Sequence, residues 1–175
     1  MPEKVDTFTD KLIYSNLGLH SEKTRLIEFG RYAVVNRARR GAGKPETFTI
    51  LGFTHICGRT RRGRFAVKRK TSRERLRAKL KDLYVTLKKR LHCAIPVVGK
   101  WLSSVLLGHY QYFGVPFNYM QLAKFRFQLM LHWLRVLRRR SQKAYVTWAR
   151  MGRLARLYLP YPRIEHPYPE QRLRV

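Results

Sequence analysis

The chain has 175 residues, of which 45% are hydrophobic, and this is enough to bury the core of one domain or of two small ones. Its 38 Lys and Arg against 10 Asp and Glu give a formal net charge of +28, far more than solubility requires. This composition excludes a disordered basic tail and predicts a polyanionic partner. The 2 cysteines are too few for a disulfide framework, so we expect a reducing compartment.

The N-terminal sequence lacks the basic and then apolar pattern of a signal peptide, and no run of about 18 apolar residues could span a bilayer. We therefore expect a soluble intracellular protein, cytoplasmic and associated with the nucleoid or with RNA, without a membrane partner. Residues 1–30 hold five acidic and four basic side chains, so nearly all the excess positive charge follows residue 30. The spacing of the apolar residues also changes later from strand-like to helical. Together with the step in charge, this change predicts one structural unit over residues 1–70 and a second over residues 71–175.

Three features are expected in the first part of the chain. Residues 6–17 carry apolar side chains near helical spacing, which predicts the end of an amphipathic helix that Gly18 would stop. Residues 24–29 alternate weakly between apolar and polar side chains and predict a strand. Residues 37–45 are rich in Arg, Gly and Ala and predict a loop.

A β-hairpin is expected next. Residues 47–55 are rich in β-branched and aromatic side chains, which is typical of a single strand. Residues 57–63, with the sequence CGRTRRG, predict a polar turn bounded by glycines, and residues 64–69 are extended again. The tip of this hairpin would be strongly cationic.

The second unit begins with a predicted helix. Its leucines recur at steps of four, three, four and four and form one apolar stripe, at Leu76, Leu80, Leu83, Leu87 and Leu91. Ser72 or Thr71 would cap this helix. Arg73, Arg77 and Lys81 follow one another at i, i+4 spacing, so each like-charged pair costs roughly 0.2–0.5 kcal/mol. A run of mixed charges is usually a solvated face, but here one sign dominates, which favours contact with phosphates.

Three further helices are predicted over residues 100–113, 119–140 and 146–158, the last around Trp148, Met151, Leu154 and Leu157. Pro96 and the Gly114-Val115-Pro116 sequence would separate them, and the proline-rich end of the chain should be extended. Five aromatic residues around the second break are expected to be core, unless an exposed ring stacks on an unpaired base: Tyr110, Tyr112, Phe113, Phe117 and Tyr119.

The sequence has no pattern typical of a catalytic centre. A metal-dependent nucleotidyl transferase needs convergent carboxylates, and no adjacent or i, i+2 acidic pair occurs in the chain. Asp6 and Asp10 share a predicted helix face but are expected to be solvated. His55 and Cys57 share a strand face without the two further ligands that zinc requires, so both are expected to be structural. We therefore predict no catalytic residue, no metal and no cofactor.

Four parts of the chain carry a family resemblance, in their order along the sequence: LGLHSEKTRLIEFGRYA, TFTILGFTHICGRTRRGRFAVKRKTSRERLRAKL, LLGHYQYFGVPFNYMQL with RRRSQKAYVTWARM, and LPYPRIEHPYPEQR. They resemble the C-terminal part of group II intron reverse transcriptase/maturase proteins. The first is similar to the sixth conserved polymerase block, the second to the seventh block and the start of the thumb, and the third to maturase domain X. The last is similar to the ending of family members without an appended endonuclease.

The resemblance implies roles for particular residues. Lys23 in the sixth block would face the incoming nucleotide, and Leu51, Gly52 and Phe53 match the hairpin that grips the primer end. The family's Tyr-Ala-Asp-Asp strand, which bears the catalytic aspartates, would precede Phe8 and does not occur in this sequence. We therefore expect no polymerase activity from this chain on its own.

By the same resemblance, the thumb and the helices after it bind intron RNA, and the basic side chains of this chain would make the contacts. The predicted RNA-binding residues are Arg59, Arg61, Arg62, Arg64, Lys68, Arg69, Lys70, Arg73, Arg77, Lys81, Lys88, Lys89, Arg90, Arg138, Arg139, Arg140 and Lys143.

We therefore expect an α+β fold, with a small palm remnant containing a β-hairpin over residues 1–70 and a mainly α-helical thumb/maturase domain over residues 71–175. The expected function is to bind structured group II intron RNA, or an RNA/DNA duplex, and to assist intron folding and splicing. The alternatives are a thumb and primer grip for a separately encoded reverse-transcriptase palm, a generic basic protein of ribosomal or DNA-binding type, and a truncated remnant without function.

Overall fold

The computed structural model describes residues 26–140 and 145–168. The elements of these ranges are α1 (Ala33–Arg39), β1 (Phe48–Ile50), β2 (Phe53–Arg59), β3 (Phe65–Thr71), α2 (Arg73–Lys89), α3 (Ile95–Phe113), α4 (Tyr119–Arg138) and α5 (Trp148–Tyr158). The strands form one antiparallel sheet of order β1-β2-β3. The predicted α+β class is confirmed, whereas the boundary at residue 70 stays a prediction. The helix predicted over residues 6–17, together with Lys23 and Lys143, lies outside the described residues.

The segment before the sheet differs from its prediction. Residues 26–29 have no regular structure, so the predicted strand is wrong in its described part, and α1 occupies the start of the predicted loop. Arg37 on α1 lies 3.3 Å from the carboxylate of Glu46 and 3.9 Å from that of Glu28. These ion pairs fix the helix between two acidic residues that lie nine positions before and after Arg37, and a local hydrophobic pattern does not indicate them.

The single strand predicted over residues 47–55 is two strands, β1 and β2. Leu51 and Gly52 between them both have positive φ, 51° and 80°, as at the centre of a two-residue type I′ turn. A leucine is disfavoured in this left-handed conformation, so a turn at this position is not expected from the sequence. The hydroxyl of Tyr112 donates to the Leu51 carbonyl over 2.9 Å, which holds the turn against α3.

The predicted hairpin with a cationic tip is formed by β2 and β3. Its register runs from Phe53 opposite Thr71 to Arg59 opposite Phe65. Strand β2 continues to Arg59, so the turn itself occupies residues 60–64 and is shorter than the sequence predicted.

The leucine stripe predicted on α2 is confirmed as core. Leu76, Leu80, Leu83 and Leu87 are buried, and Leu91 is partly buried beside them. The same core contains the buried face of α4, with Leu122, Phe125, Leu129 and Trp133. Regular spacing on one helix was sufficient to predict this face, because side chains at i, i+3 and i+4 lie on the same side of an α-helix.

Two helix beginnings differ in detail from the prediction. Ser72 is at the N-cap position of α2, but its side chain accepts no hydrogen bond from the helix; its amide donates instead to the Gly52 carbonyl at 2.8 Å. Helix α3 begins at Ile95 and contains Pro96 in its first turn, five residues before the predicted start at Lys100. A proline is tolerated there because the first N–H groups of a helix have no intrahelical acceptor.

The outer faces of α4 and α5 carry exposed apolar side chains. Phe127 on α4 and Trp148 and Leu157 on α5 are exposed, whereas Met151 is fully buried. Helix α5 packs on α3 and α4, which leaves its opposite face open. The helix predicted over residues 146–158 is confirmed as α5, from Trp148 to Tyr158, with Trp148 and Leu157 on its open side.

One buried side chain joins the sheet to the helices. Asn118 accepts a hydrogen bond from the Thr71 amide at 2.9 Å and donates to the Thr71 hydroxyl and the Phe113 carbonyl, both at 2.8 Å. It therefore links the end of β3, the end of α3 and the start of α4. The Phe53 ring adds to this joint, because it lies 5.8 Å from the Tyr112 ring and 5.1 Å from the Phe113 ring.

Two glycines of α3 allow a matched test of the packing of α5. A Cβ on Gly99 would lie 2.4 Å from the Tyr158 ring, whereas a Cβ on Gly108 would meet nothing within 4 Å. We expect Gly99→Ala to lower the free energy of unfolding by about 1–3 kcal/mol through overpacking. Gly108→Ala should raise it by about 0.5–1 kcal/mol through helix propensity. Urea unfolding followed by circular dichroism measures both, and effects of the same sign would contradict this packing.

Candidate nucleic-acid interface

The clearest candidate surface is a row of cations on α2. Its four cations share one flank of the helix with a tyrosine. These five residues recur at steps of four, four, three and four, in the order Arg73, Arg77, Lys81, Tyr84 and Lys88. The four cations, which we call the α2 stripe, are exposed. The Lys88 ammonium lies 5.1 Å from the centre of the Tyr84 ring, which in turn lies 4.9 Å from the His132 ring. The α2 stripe therefore runs beside the leucine core and borders α4.

No acidic side chain in the part of the chain that the structure describes forms an ion pair with the α2 stripe. Glu74 and Asp82 are on the same helix, but neither forms an ion pair there, and the ion pairs found in the described ranges involve α1 instead. Like charges at i, i+4 destabilise a helix by roughly 0.2–0.5 kcal/mol per pair. A bound polyanion would relieve this repulsion.

A second cationic surface lies at the tip of the β2–β3 hairpin. Its four arginines, Arg59, Arg61, Arg62 and Arg64, are exposed, and their side chains have no partner among the described residues. Strand β3 has 7 residues, so this tip is roughly 20 Å from the start of α2. The predicted RNA-binding residues therefore form separate surfaces and not one continuous patch.

The three consecutive cations of β3 point in different directions. Lys68 and Lys70 lie on one face of the sheet and Arg69 on the other, because side chains alternate along a strand. The Lys68 ammonium lies 5.8 Å from the centre of the Phe117 ring. Arg69 is partly buried in a pocket that it shares with His55. These three side chains cannot all contact the same stretch of nucleic acid.

Two arginines predicted to bind RNA already have partners in the protein. Arg138 donates to the Val146 carbonyl at 3.1 Å and to the Tyr145 hydroxyl at 3.2 Å. The Arg90 guanidinium lies 4.5 Å from the centre of the Trp101 ring, at the end of α2. Both side chains therefore hold chain segments together at helix ends, a role that the sequence did not indicate.

The other predicted cations near these helix ends differ among themselves. Arg140 donates to the His92 carbonyl at 3.5 Å, a distance at which a hydrogen bond is weak. Lys89 and Arg139 are exposed and have no partner among residues 26–140 and 145–168. Both side chains remain available to a ligand.

The three residues that match the primer grip differ in their exposure to solvent. Leu51 is exposed at the β1–β2 turn, whereas Gly52 and Phe53 are buried. Phe53 belongs to the joint between the sheet and α3, and only 8% of it is exposed. The turn at Leu51 is the accessible part of this motif.

The structure also brings together residues that the sequence did not connect. A groove of about 850 Å³ lies between the hairpin tip, the start of α4 and the chain near residue 168, and we call it the tip groove. The tip arginines and the rings of Phe117, Tyr119 and Tyr168 line it. Tyr119 is 48% exposed and Tyr112, which lies outside the groove, is 52% exposed, so the prediction that these two rings belong to the core is wrong. No local pattern predicts this groove, because it depends on where the C-terminal segment packs.

The histidines and cysteines of the described residues form no group that could hold a metal ion. Burial, with a smaller effect from Lys79, lowers the pKa of His109 to about 4, and its ring stacks on Phe125 at 3.9 Å. The His55 ring stacks on a phenylalanine of β1 at 4.7 Å. The Cys57 thiol lies 3.3 Å from a backbone amide that donates to it. His55 and Cys57 therefore contact other parts of the protein, and their structural role stays a prediction.

No protein-family model, curated protein or solved structure matches this chain. The resemblance to group II intron maturases therefore stays a prediction from sequence motifs. Among the helices of the described ranges, none is both long enough and apolar enough to cross a membrane.

Proposed function

We propose that this protein binds group II intron RNA and assists its folding and splicing. The observation that carries the proposal is the α2 stripe, whose four exposed cations lie on one flank of a helix with no acidic partner among the described residues. The net charge of +28 makes a polyanion the natural partner. The choice of intron RNA rests on the sequence motifs that resemble the maturase family.

The geometry of α2 suggests how an RNA would be selected. Helix residues four apart lie about 6 Å apart along the axis, so the α2 stripe spans about 22 Å. Phosphates that contact these cations would release counterions, which makes binding favourable and dependent on salt. The leucines on the neighbouring flank anchor α2 in the core, so its cations form a fixed array. Such an array favours a folded RNA of complementary backbone shape and does not need to read bases.

A second candidate is a thumb and primer grip that works with a separately encoded reverse-transcriptase palm. Ile50 and Leu51 favour it, since their apolar side chains are 53% and 76% exposed at the β1–β2 turn. A palm subunit would cover these two side chains and extend them into the larger apolar contact that is typical of a protein interface. In this case the α2 stripe would contact a template–primer duplex.

Replacing Arg73, Arg77 and Lys81 together by Gln tests the first proposal. We expect the affinity for a group II intron transcript to fall roughly tenfold or more, because three phosphate contacts are lost. A plot of log affinity against log salt concentration should flatten by about two, at roughly 0.7 per contact. Gln is a good helix former, so α2 should stay folded, which circular dichroism can verify. Filter-binding titrations at several salt concentrations measure the affinity and the slope.

A matched control is available on α5. Arg150, Arg153 and Arg156 are also exposed, and replacing them by Gln removes the same charge from another helix. The control should retain more affinity and a steeper salt slope than the α2 variant. Equal losses in the two variants would show that net charge alone matters, and unchanged binding by the α2 variant would overturn the proposal. An unrelated folded RNA of the same length tests the preference for intron RNA.

A further inference from the structure

We propose that the tip groove holds unpaired RNA nucleotides, with bases stacked on its aromatic rings and the flanking phosphates at its arginines. This inference extends the proposed function and rests on it. The groove volume of about 850 Å³ falls within the roughly 300–1,000 Å³ of ligand pockets. Among the described residues, its lining contains no Asp or Glu that would repel a phosphate.

The aromatic rings of the groove are accessible next to cations. Tyr119 and Tyr168 are 48% and 46% exposed, and Phe117 meets the Tyr168 ring edge-on at 5.7 Å. Lys68 lies over the Phe117 ring, and Arg61 and the other tip arginines line the adjoining wall. Surfaces that bind single-stranded nucleic acid combine these two elements, a ring face for the base and a cation for the phosphate.

The backbone at Phe117 gives a second indication of a binding site. Its φ is 70°, in the left-handed region that is disfavoured for a residue with a Cβ. The hydrogen bonds of the buried Asn118 side chain hold the next residue in place, so the surrounding structure maintains the conformation. Backbone strain of this kind persists where packing imposes it, and it is concentrated at ligand sites.

Other ligands would use only part of this surface. A duplex keeps its base faces inside the stack, so its phosphates would reach the arginines but leave the rings without a partner. An acidic peptide would pair with the arginines in the same incomplete way. An unpaired nucleotide supplies both a planar face and a phosphate, which is why we assign the groove to unpaired RNA.

The experiment compares a blunt RNA hairpin with the same hairpin carrying a short unpaired extension, by fluorescence anisotropy. For the unmodified chain we expect the extension to raise the affinity roughly tenfold, as stacking of a base on a ring does. Tyr119→Ala should lose most of this gain and bind the blunt hairpin as before, whereas Tyr119→Phe should keep it, because stacking needs the ring and not the hydroxyl. Tyr32→Ala is the matched control, since Tyr32 is 69% exposed and outside the groove.

The outcomes separate this inference from the proposed function. If the chain binds the blunt hairpin but the extension adds no affinity, or if Tyr119→Ala keeps the whole gain, the groove assignment is wrong and the proposed function stands. If neither hairpin binds but the intron transcript does, the groove assignment alone is wrong, and if none of the three RNAs binds, both are wrong. Tighter binding of an acidic peptide than of the extended RNA would also overturn the assignment. Should Tyr119→Ala fail to fold, Arg61→Gln combined with Arg64→Gln in the exposed tip should lose the same gain.

Discussion

Replacing Asn118 by alanine should lower the free energy of unfolding by about 3–5 kcal/mol. The change removes three hydrogen bonds and leaves the amide and the hydroxyl of Thr71 buried without their partner. A buried polar group that is left unpaired costs roughly 1–3 kcal/mol. Because Asn118 joins the hairpin to α3 and α4, the hairpin should also lose its fixed position. Urea unfolding followed by circular dichroism measures the loss of stability.

Thr71→Val provides the partner variant, because it deletes only the hydroxyl to which Asn118 donates. We expect it to cost about 1 kcal/mol, and the double variant should cost less than the sum of the two, since both lose the same bond. Gln121→Ala, on the first turn of α4, should change stability by less than about 0.5 kcal/mol. If Asn118→Ala costs no more than Gln121→Ala, the hydrogen bonds of Asn118 do not hold the sheet to the helices.

The parts of the fold that could be predicted from sequence depend on local periodicity. The leucines of α2 share one face through the geometry of the helix itself, so their spacing alone predicted the core. The turn at Leu51 and Gly52 was missed because a leucine in the left-handed conformation is stabilised by a remote hydroxyl, that of Tyr112. Helix α1 was missed for a similar reason, because the ion pairs of Arg37 join residues that are nine positions apart in the sequence.

The candidate site likewise depends partly on composition, which the sequence shows, and partly on remote contacts, which it does not show. The excess of Arg and Lys predicted a polyanionic partner, but composition does not show which cations are free to contact that partner. Arg138 and Arg90 are held by Tyr145 and Trp101, whereas Arg77 on α2 has no partner among the described residues. This difference depends on which helix ends and loops meet in the folded chain. The tip groove depends even more on remote contacts, because it combines β3, α4 and the C-terminal segment.

His109 is a buried base in a positively charged protein, and this has a consequence for stability in acid. Its ring packs between Phe113 and Phe125, at 4.6 and 3.9 Å, and its Nε2 has no hydrogen-bond partner among the described residues. Burial, and then the charge of Lys79, lower its pKa from 6.5 to about 4. Between these two values the unfolded chain binds a proton that the folded chain does not. The free energy of unfolding therefore falls as the pH drops through this window.

We expect this effect to remove about 3 kcal/mol of stability between neutral pH and about pH 4, which is the difference between the two pKa values converted to free energy. His132, whose pKa is also lowered by burial, acts in the same direction. His109→Phe keeps an aromatic ring against Phe125 but cannot bind a proton, so its urea midpoint should depend much less on pH. His92→Gln, at an exposed histidine, is the control and should follow the unmodified chain. If His109→Phe loses as much stability in acid as the unmodified chain does, protonation of carboxylates and the overall positive charge account for the loss, and His109 does not.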